Sequence, residues 1–422
     1  MHVLVINVFF APHSYGGATI VAEEVARALA ARGGVRVSAI SAMTRADLPP
    51  YAVVRCEAGG IVNHMINLPA GRSKVQHYAN AEVAAKIAGI ARDLAPDLAH
   101  VHCVQEIGAD CLTVLKTLGI PVILSTHDFW WLCERQFMIR PDGRYCGQNP
   151  IRIARCRGCV DDFGAAETRG AYLAQAAGWA DLVTCPSAFA AGIYARSGFA
   201  PGRLRVWENG VRLPGPGFAA AQAARRAADP RLVFGFVGGP SQIKGWPLLG
   251  EAFRDLPRGD FRGHLVEGSL DGSWWRGRDI SVLAGAWEVV PRYAQDGIDG
   301  FFAEIDVLLF LSQWKETFGL TVREALARGV RVIQTDAGGA AEHGAADHVR
   351  VIPIGAGAKV LRKAVLAELE TGPRDMPGVA VRSYGAQAEA FLDLARPLAA
   401  ARRATFSSAL PVTLCGWVFD LS

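Results

Sequence analysis

The stretch EIDVLLFLSQWKETFGLTVREALARGVRVIQTD, residues 304–336, reads as one strand–helix–strand unit. Its opening apolar run has the continuous character of a strand buried on both faces of a sheet. The turn-like Thr317-Phe318-Gly319 then leads into an apolar-periodic run that stops at Gly329, and GVRVIQTD restarts the strand pattern. The backbone N–H groups near Phe318, Gly319 and Leu320 are therefore expected to be unpaired donors at a helix N-terminus, an arrangement that attracts anions. Glu316 precedes this start and Glu324 lies within the helix, in the spacing Glu-x7-Glu. Ionised carboxylates accept sugar hydroxyl hydrogen bonds strongly, so the pair suits a phosphorylated sugar. The same residues also allow a plainer reading, in which Glu in the first turn favours the macrodipole and Glu324 is solvated.

Working outward, the same cadence recurs. VLVINVFF, TIVAEEVARALAARG, VRVSAIS, LAHVHCV, IPVILSTHD and ADLVTCPS alternate strand-like and Ala-rich helical patterns. They imply βαβ units with a parallel sheet covered on both sides. After the Gly/Pro-rich WENGVRLPGPG (207–217), a plausible hinge, the rhythm restarts with RLVFGFVGG, a helix from about Pro247, RGHLVEG and ISVLAGAWEV. The expected fold class is α/β, with two doubly wound Rossmann-like domains facing a central cleft. The first spans 1–207 with a Cys-rich insertion at 130–162, and the second spans 208–383. The segment 384–422, with a helix over Tyr384–Arg402, crosses back over the hinge. In such sheets ligands bind beyond the carboxyl ends of the strands.

A chain of 422 residues is long for one core, and two domains of about 200 residues are the natural expectation. Lys and Arg total 44 against 40 Asp and Glu, a net charge of +4 that indicates no nucleic-acid surface. MHVLVINVFFAPHSYGG lacks a basic n-region and a small-residue cleavage site, and reads as a buried first strand. No apolar run approaches the roughly 18 residues of a spanning helix. A cytoplasmic protein is expected, open to peripheral contact at the inner membrane face. The apolar tail SALPVTLCGWVFDLS is expected to pack against the protein rather than a membrane.

The second-domain segments GFVGGPSQIKGW (235–246), FAEIDVLLFLSQWKETFGLTVREALARG and VIQTDAGGAAE (332–342) occur in that order. With the opening APHSYGGATIVAEEVARAL and the strand end STHDFW, they make the chain resemble a family 4 glycosyltransferase of the two-domain GT-B architecture. The resemblance runs through nearly the whole chain. It implies a retaining transferase moving a sugar from a nucleotide-diphosphate donor to a hydroxyl acceptor, a saccharide or lipid-linked saccharide in polysaccharide or glycolipid biosynthesis. No cofactor is required for catalysis, and no DxD-like metal motif is needed. Carried over by position, Glu316 contacts the donor sugar's hydroxyls, Glu324 the nucleotide ribose, and His127 the transferring sugar. Lys244 neutralises the diphosphate, in keeping with the negative charge a leaving nucleoside diphosphate develops. Phe318, Gly319, Leu320, Gly238 and Gly239 belong to the donor side. In many relatives an Arg follows the first glycine of the KGW loop. Here Gly239 stands there, which weakens diphosphate stabilisation unless Lys315 or a nearby Arg substitutes.

In the first domain, Gly16 and Gly17 lie where glycines let backbone N–H groups approach phosphate, although a plain tight turn fits equally. Asp128 orients His127 or caps a turn. Asn209 and Gly210 resemble the family's hinge NG, with Gly210 expected at positive φ. Two rival classes remain open. One is a catalytically weak nucleotide-sugar sensor or scaffold of the same fold, suggested by Gly239. The other is an NAD-dependent dehydrogenase or epimerase, disfavoured because PHSYGG replaces G-x-G-x-x-G.

HDFWWLCERQFMIRPDGRYCGQNPIRIARCRGC places Cys133, Cys146, Cys156 and Cys159 in the spacing C-x12-C-x9-C-x2-C. Four thiols in a polar, loop-like insertion suit a structural Zn2+ with four thiolate ligands, with two disulfides or plain thiols as alternatives. Trp130 and Trp131 are placed on the acceptor side, either stacking on a sugar ring or anchoring the insertion. The other cysteines (Cys56, Cys103, Cys111, Cys185 and Cys415) read as core thiols.

Overall fold

The computed structural model describes residues 1–14 and 16–408, with backbone only for 405–408. Tyr15, Cys415 and nearly all of the apolar tail lie outside these residues. The first half runs β1 (His2–Ile6), α1 (Gly17–Ala30), β2 (Arg36–Met43), β3 (Val53–Ala58), β4 (Ile61–Asn67), α2 (Ala81–Leu94), β5 (Leu98–Val101), α3 (Asp110–Thr117), β6 (Val122–Ser125), α4 (Phe163–Ala177), β7 (Leu182–Cys185), α5 (Ala188–Arg196) and β8 (Leu204–Val206). The second continues α6 (Phe218–Ala228), β9 (Val233–Phe236), α7 (Trp246–Arg254), β10 (Arg262–Val266), β11 (Ala286–Val290), α8 (Ile298–Ala303), β12 (Val307–Phe310), α9 (Leu320–Ala327), β13 (Arg331–Thr335), β14 (Val349–Ile352), α10 (Ala358–Thr371) and α11 (Tyr384–Ser408).

The strands form two sheets. The first has the order β3-β4-β2-β1-β5-β6-β7-β8 and the second β11-β10-β9-β12-β13-β14. All pairings are parallel except β3 with β4, an antiparallel edge hairpin closed at Gly59-Gly60. That hairpin breaks the simple βαβ cadence, and its half-exposed β3 suits an edge strand with one wet face. The central strands β1, β5, β6, β9 and β12 are almost wholly buried because helices cover both sheet faces. Leu4, Ile40, Val101, Leu124 and Leu112 pack one side of the first sheet. On the other side Val3, Val5, Val21, Val25 and Leu29 meet Phe391, Leu392 and Ala395 of α11. The last described helix therefore returns from the second half to pack on the first.

Strand order reverses at two places. β1 pairs β2 on one side and β5 on the other, while β9 pairs β10 and β12. Each reversal opens a crevice at the strand carboxyl ends, where the loops after neighbouring strands diverge. The two crevices face each other.

The link at Asn209-Gly210 differs from expectation in its cause. Gly210 is absent from the glycines with positive φ, so conformation is not what requires it there. A Cβ on Gly210 would lie 2.5 Å from the backbone carbon of Ser383 and nitrogen of Tyr384, so glycine permits a close backbone crossing at the start of α11. Gln387 fixes the crossing, accepting from the Gly210 N–H at 2.6 Å and donating to Asn209 Oδ1 at 3.2 Å.

Candidate active site

A cavity of about 640 Å3 lies between the two sheets. Its walls include Gly16 and Gly17 at the start of α1, His127 and Asp128 after β6, Lys244 before α7, and Glu316, Thr317, Phe318, Gly319 and Leu320 at the start of α9. The helix N-termini of α1 and α9 meet here. Gly16 and Gly319 are their caps, with φ of 82° and 81°, and neither end has a side-chain cap hydrogen bond. A Cβ on Gly17 would sit 3.3 Å from Leu320 Cδ1, so the two ends approach closely. Both present backbone N–H dipoles to the same space, a setting for anionic groups.

Lys244 Nζ donates to Glu316 Oε1 at 2.6 Å, and Ser312 Oγ donates to the same oxygen at 2.6 Å. The ammonium also lies 5.8 Å from the Trp314 ring centroid. Among the described residues lining the cavity, Lys244 supplies the Lys or Arg charge. Lys315 does not substitute for an arginine at Gly239, because its ammonium is bound to the Asp336 carboxylate at 2.8 Å. Gly239 itself has φ of 63°, and a Cβ there would lie 2.6 Å from the Trp274 ring. An indole thus covers the position, and Gly238 lines only a small adjoining space with Lys244 and Thr321.

Glu324 departs from the expected arrangement. It is not among the cavity-lining residues but lies buried on α9, where Gln295 Nε2 donates to Oε1 at 3.4 Å. Burial raises its carboxyl pKa to about 7, against the lowering effects of Gln295 and Arg328. The structure therefore joins Glu316 and Lys244 at the cavity but covers Glu324 with the segment that holds Gln295.

On the first-domain side, His127 Nε2 is 2.9 Å from His102 Nδ1, and burial lowers the His127 pKa to about 4. Asp128 does not orient His127. Its Oδ1 accepts from the Trp130 N–H at 2.8 Å, and its Oδ2 accepts from Gln136 Nε2 at 2.5 Å and Gln105 Nε2 at 3.3 Å. This carboxylate ties the start of the insertion down. Trp130 and Trp131 correct the acceptor-side expectation. Both are buried, neither lines the cavity, and their rings meet edge-on at 5.2 Å. Arg169 lies over Trp130, so these indoles anchor the insertion.

Two bridges hold the halves together across the cavity. Thr317 Oγ1 donates to the His127 carbonyl at 2.5 Å, and the Glu342 carboxylate accepts from the N–H groups of Ala188 and Phe189 at the start of α5. His102, Gln105 and Trp314 were not singled out from the sequence, and Thr317 was read only as part of a turn. Of these, His102 had a legible signal, because alternation along LAHVHCV puts His100 and His102 on one face at a strand end.

Residues 15–214 match the family described as Glycosyltransferase Family 4, and residues 231–370 match Glycosyl transferases group 1. The chain is a glycosyltransferase of the GT-B type. The solved structures similar to this glycosyltransferase agree with the fold. A sucrose-phosphate synthase from Thermosynechococcus elongatus is 17% identical with a TM-score of 0.62, covering 96% of this chain and 98% of that one. HepE of Anabaena, in complex with UDP-glucose, is 17% identical with a TM-score of 0.58 over 97% of this chain and 100% of that one. An alpha,alpha-trehalose-phosphate synthase (UDP-forming) from Burkholderia xenovorans, in complex with glucose-6-phosphate, is 14% identical with a TM-score of 0.58 over 96% and 99%. No curated protein matches the glycosyltransferase at a significant level. The architecture is GT-B, and the chain is a GT-B type transferase.

The four clustered cysteines of this glycosyltransferase line one separate cavity of about 230 Å3 with Arg140, Gln148 and Arg155. Their side chains are not drawn into a closed ligand set: among the described residues no three His, Cys, Asp or Glu side chains form a metal-holding group. All four are free thiols, which departs from the disulfide alternative. Of the scattered thiols, Cys111 and Cys185 are buried as expected, whereas Cys56 and Cys103 are only partly buried and Cys103 lines the large cavity. Among the described residues no helix is long and apolar enough to cross a membrane.

Proposed function

We propose that this protein is a retaining glycosyltransferase that takes a sugar from a nucleotide-diphosphate donor and places it on a hydroxyl of a saccharide or lipid-linked saccharide. The observation that carries this reading is the meeting of two uncapped helix N-termini with the Lys244–Glu316 pair in one inter-domain cavity. A diphosphate seated there gains oriented N–H dipoles and the ammonium of Lys244, which moves from Glu316 to the phosphate. Glu316 is then released to accept hydrogen bonds from donor sugar hydroxyls. In the transfer step the bond from the anomeric carbon to the diphosphate oxygen breaks. The acceptor oxygen bonds that carbon on the same face, and its proton passes to the leaving phosphate oxygen. Closure by the Thr317–His127 bridge keeps water from competing as acceptor. The UDP-glucose and glucose-6-phosphate named for the similar structures favour UDP-sugars as first donors and phosphorylated or simple sugars as first acceptors to try.

Calorimetry against UDP-, GDP- and ADP-sugars, followed by product anomer analysis, tests the reading. Glu316→Ala should slow transfer by about 30-fold or more, corresponding to ~2 kcal/mol for a lost charge-assisted hydrogen bond. Unchanged turnover removes the role of Glu316. A second reading, a nucleotide-sugar sensor, is favoured by Trp274 covering Gly239. Tight nucleotide binding with no transfer to any acceptor selects it.

For the insertion we propose a structural Zn2+ bound by Cys133, Cys146, Cys156 and Cys159. Their convergence on one cavity supports it, and the ion would have to offset the burial that pushes the Cys133 thiol up to about 11. The thiols must rotate inward to close the set. The ion's contribution is to order a segment whose described residues hold one short 3-10 turn between β6 and α4. A cytoplasmic location, with the acceptor reached at the inner membrane face, completes the proposal.

A further inference from the structure

His102 directly follows β5 with its side chain fully buried, and its Nδ1 is 2.9 Å from His127 Nε2. The two rings lie 18° from parallel, their centroids 5.2 Å apart. On its other side the His102 ring meets His100 at 4.0 Å, and His100 Nε2 is in turn bonded to Ser125 Oγ at 2.8 Å. His102 Nε2 is buried and has no hydrogen-bond partner. Burial also holds both imidazoles neutral, lowering the His102 pKa well below its ordinary value and that of His127 to about 4. Each ring therefore carries one N–H at neutral pH.

Only two proton arrangements fit one hydrogen bond between the rings. If His127 donates from Nε2, the proton of His102 sits on its own Nε2, a buried N–H without an acceptor. If His102 donates from Nδ1, its Nε2 is a bare lone pair. Orphaned buried N–H groups are rarer and costlier than unsatisfied acceptors, so the second arrangement wins. The remaining proton of His127 is then on Nδ1. His127 lines the inter-domain cavity, and among the described residues its ring's hydrogen bond is the one through Nε2.

We propose that His102 is a positioning residue that locks His127 as the Nδ1–H tautomer, so that His127 offers the cavity a neutral hydrogen-bond donor aimed at an oxygen acceptor. Resting on the glycosyl-transfer reading, that acceptor is a hydroxyl oxygen of the donor sugar. A neutral donor binds the hydroxyl without adding a charge that would repel the cationic character growing at the anomeric carbon.

Long-range 1H–15N correlation of protein labelled at histidine, at neutral pH and without nucleotide, reads the tautomer directly. The expected spectrum shows His127 with a protonated Nδ1 and an unprotonated Nε2. A protonated Nε2 in the wild-type protein overturns the proposal whatever the activity. His102→Asn, whose amide N–H can stand in for Nδ1–H, should keep the tautomer and keep KM for the sugar nucleotide within about twofold. His102→Phe preserves a buried ring but removes the donor. It should give mixed His127 tautomers and raise KM by about tenfold, while affinity for the free nucleoside diphosphate, which lacks the sugar, is unchanged. Identical spectra for wild type and His102→Phe also refute the lock. Absence of any sugar-nucleotide binding by a protein with the expected tautomer refutes the functional reading and leaves the tautomer assignment standing.

Discussion

Replacing Glu324 with glutamine tests the buried carboxyl on α9 through its pH dependence. The Glu324 pKa stands at about 7 in the folded protein against an ordinary 4.5, chiefly because burial penalises the carboxylate. A group whose folded pKa is raised favours the folded state below the unfolded value and loses that advantage as pH rises through the folded value. The stabilisation relative to a non-titrating residue is therefore intact below about pH 4.5 and gone above about pH 7. At 1.36 kcal/mol per pH unit, the full loss is about 3.4 kcal/mol, of which about 2.5 kcal/mol falls between pH 5 and pH 8.5. Denaturant melts of wild type and Glu324→Gln across that range supply the test. The difference between the two proteins should shift in favour of the glutamine variant by about 2.5 kcal/mol as pH rises, whatever constant offset the substitution brings. Parallel curves would refute the reasoning, because a solvated Glu324 titrating at its ordinary value produces no change in that window.

Three other perturbations address the rest of the site. Lys244→Ala removes the cavity's ammonium and should weaken nucleoside-diphosphate binding by about 30-fold, or ~2 kcal/mol, as read by calorimetry. Equal affinity would place the diphosphate elsewhere. Gly239→Ala forces an L side chain to φ of 63° with its Cβ 2.6 Å from Trp274, and should lower stability by roughly 1–3 kcal/mol in thermal melts, with Trp274→Gly restoring part of it. Metal analysis of reduced protein should find one zinc per chain, lost in a Cys156→Ser, Cys159→Ser double variant together with protease resistance of the insertion. Full resistance without metal would refute the clip.

What could be read in advance follows from how local each signal is. EIDVLLFLSQWKETFGLTVREALARGVRVIQTD resolved into β12, α9 and β13 because a buried parallel strand and an amphipathic helix differ in period within a few residues. Lys244 and Glu316, on loops after neighbouring strands, converge because β9 and β12 pair side by side. The burial of Glu324 was not legible. It depends on Gln295, 29 positions away, whose approach no local pattern encodes. Trp130 and Trp131 were ambiguous for a related reason, since an indole beside a strand end packs inward or lines a cleft depending on partners such as Arg169 on α4. The antiparallel edge at Gly59-Gly60 could have been found, because VVRCEA and IVNHMIN flank a Gly-Gly turn.

The placement of the cavity follows from the two reversals of strand order acting together. Each sheet alone offers one crevice with one helix N-terminus, enough for an anion but open to water on its far side. Thr317 donating to the His127 carbonyl ties the loop before α9 to the end of β6, and Glu342 capping α5 ties the loop after β13 to the end of β7. Both ties run between strand carboxyl ends, so they draw the reversals toward each other rather than closing the molecule elsewhere. Lys244, Glu316 and the α9 N-terminus belong to the second half, and the α1 N-terminus and His127 to the first, so loosening the ties should slow transfer more than it weakens diphosphate binding. Thr317→Val, which keeps the side-chain shape and removes the donor, should leave nucleoside-diphosphate affinity within about twofold while slowing sugar transfer by about fivefold, close to the ~1 kcal/mol of one hydrogen bond. A parallel loss of binding and turnover would show that the diphosphate site itself depends on closure.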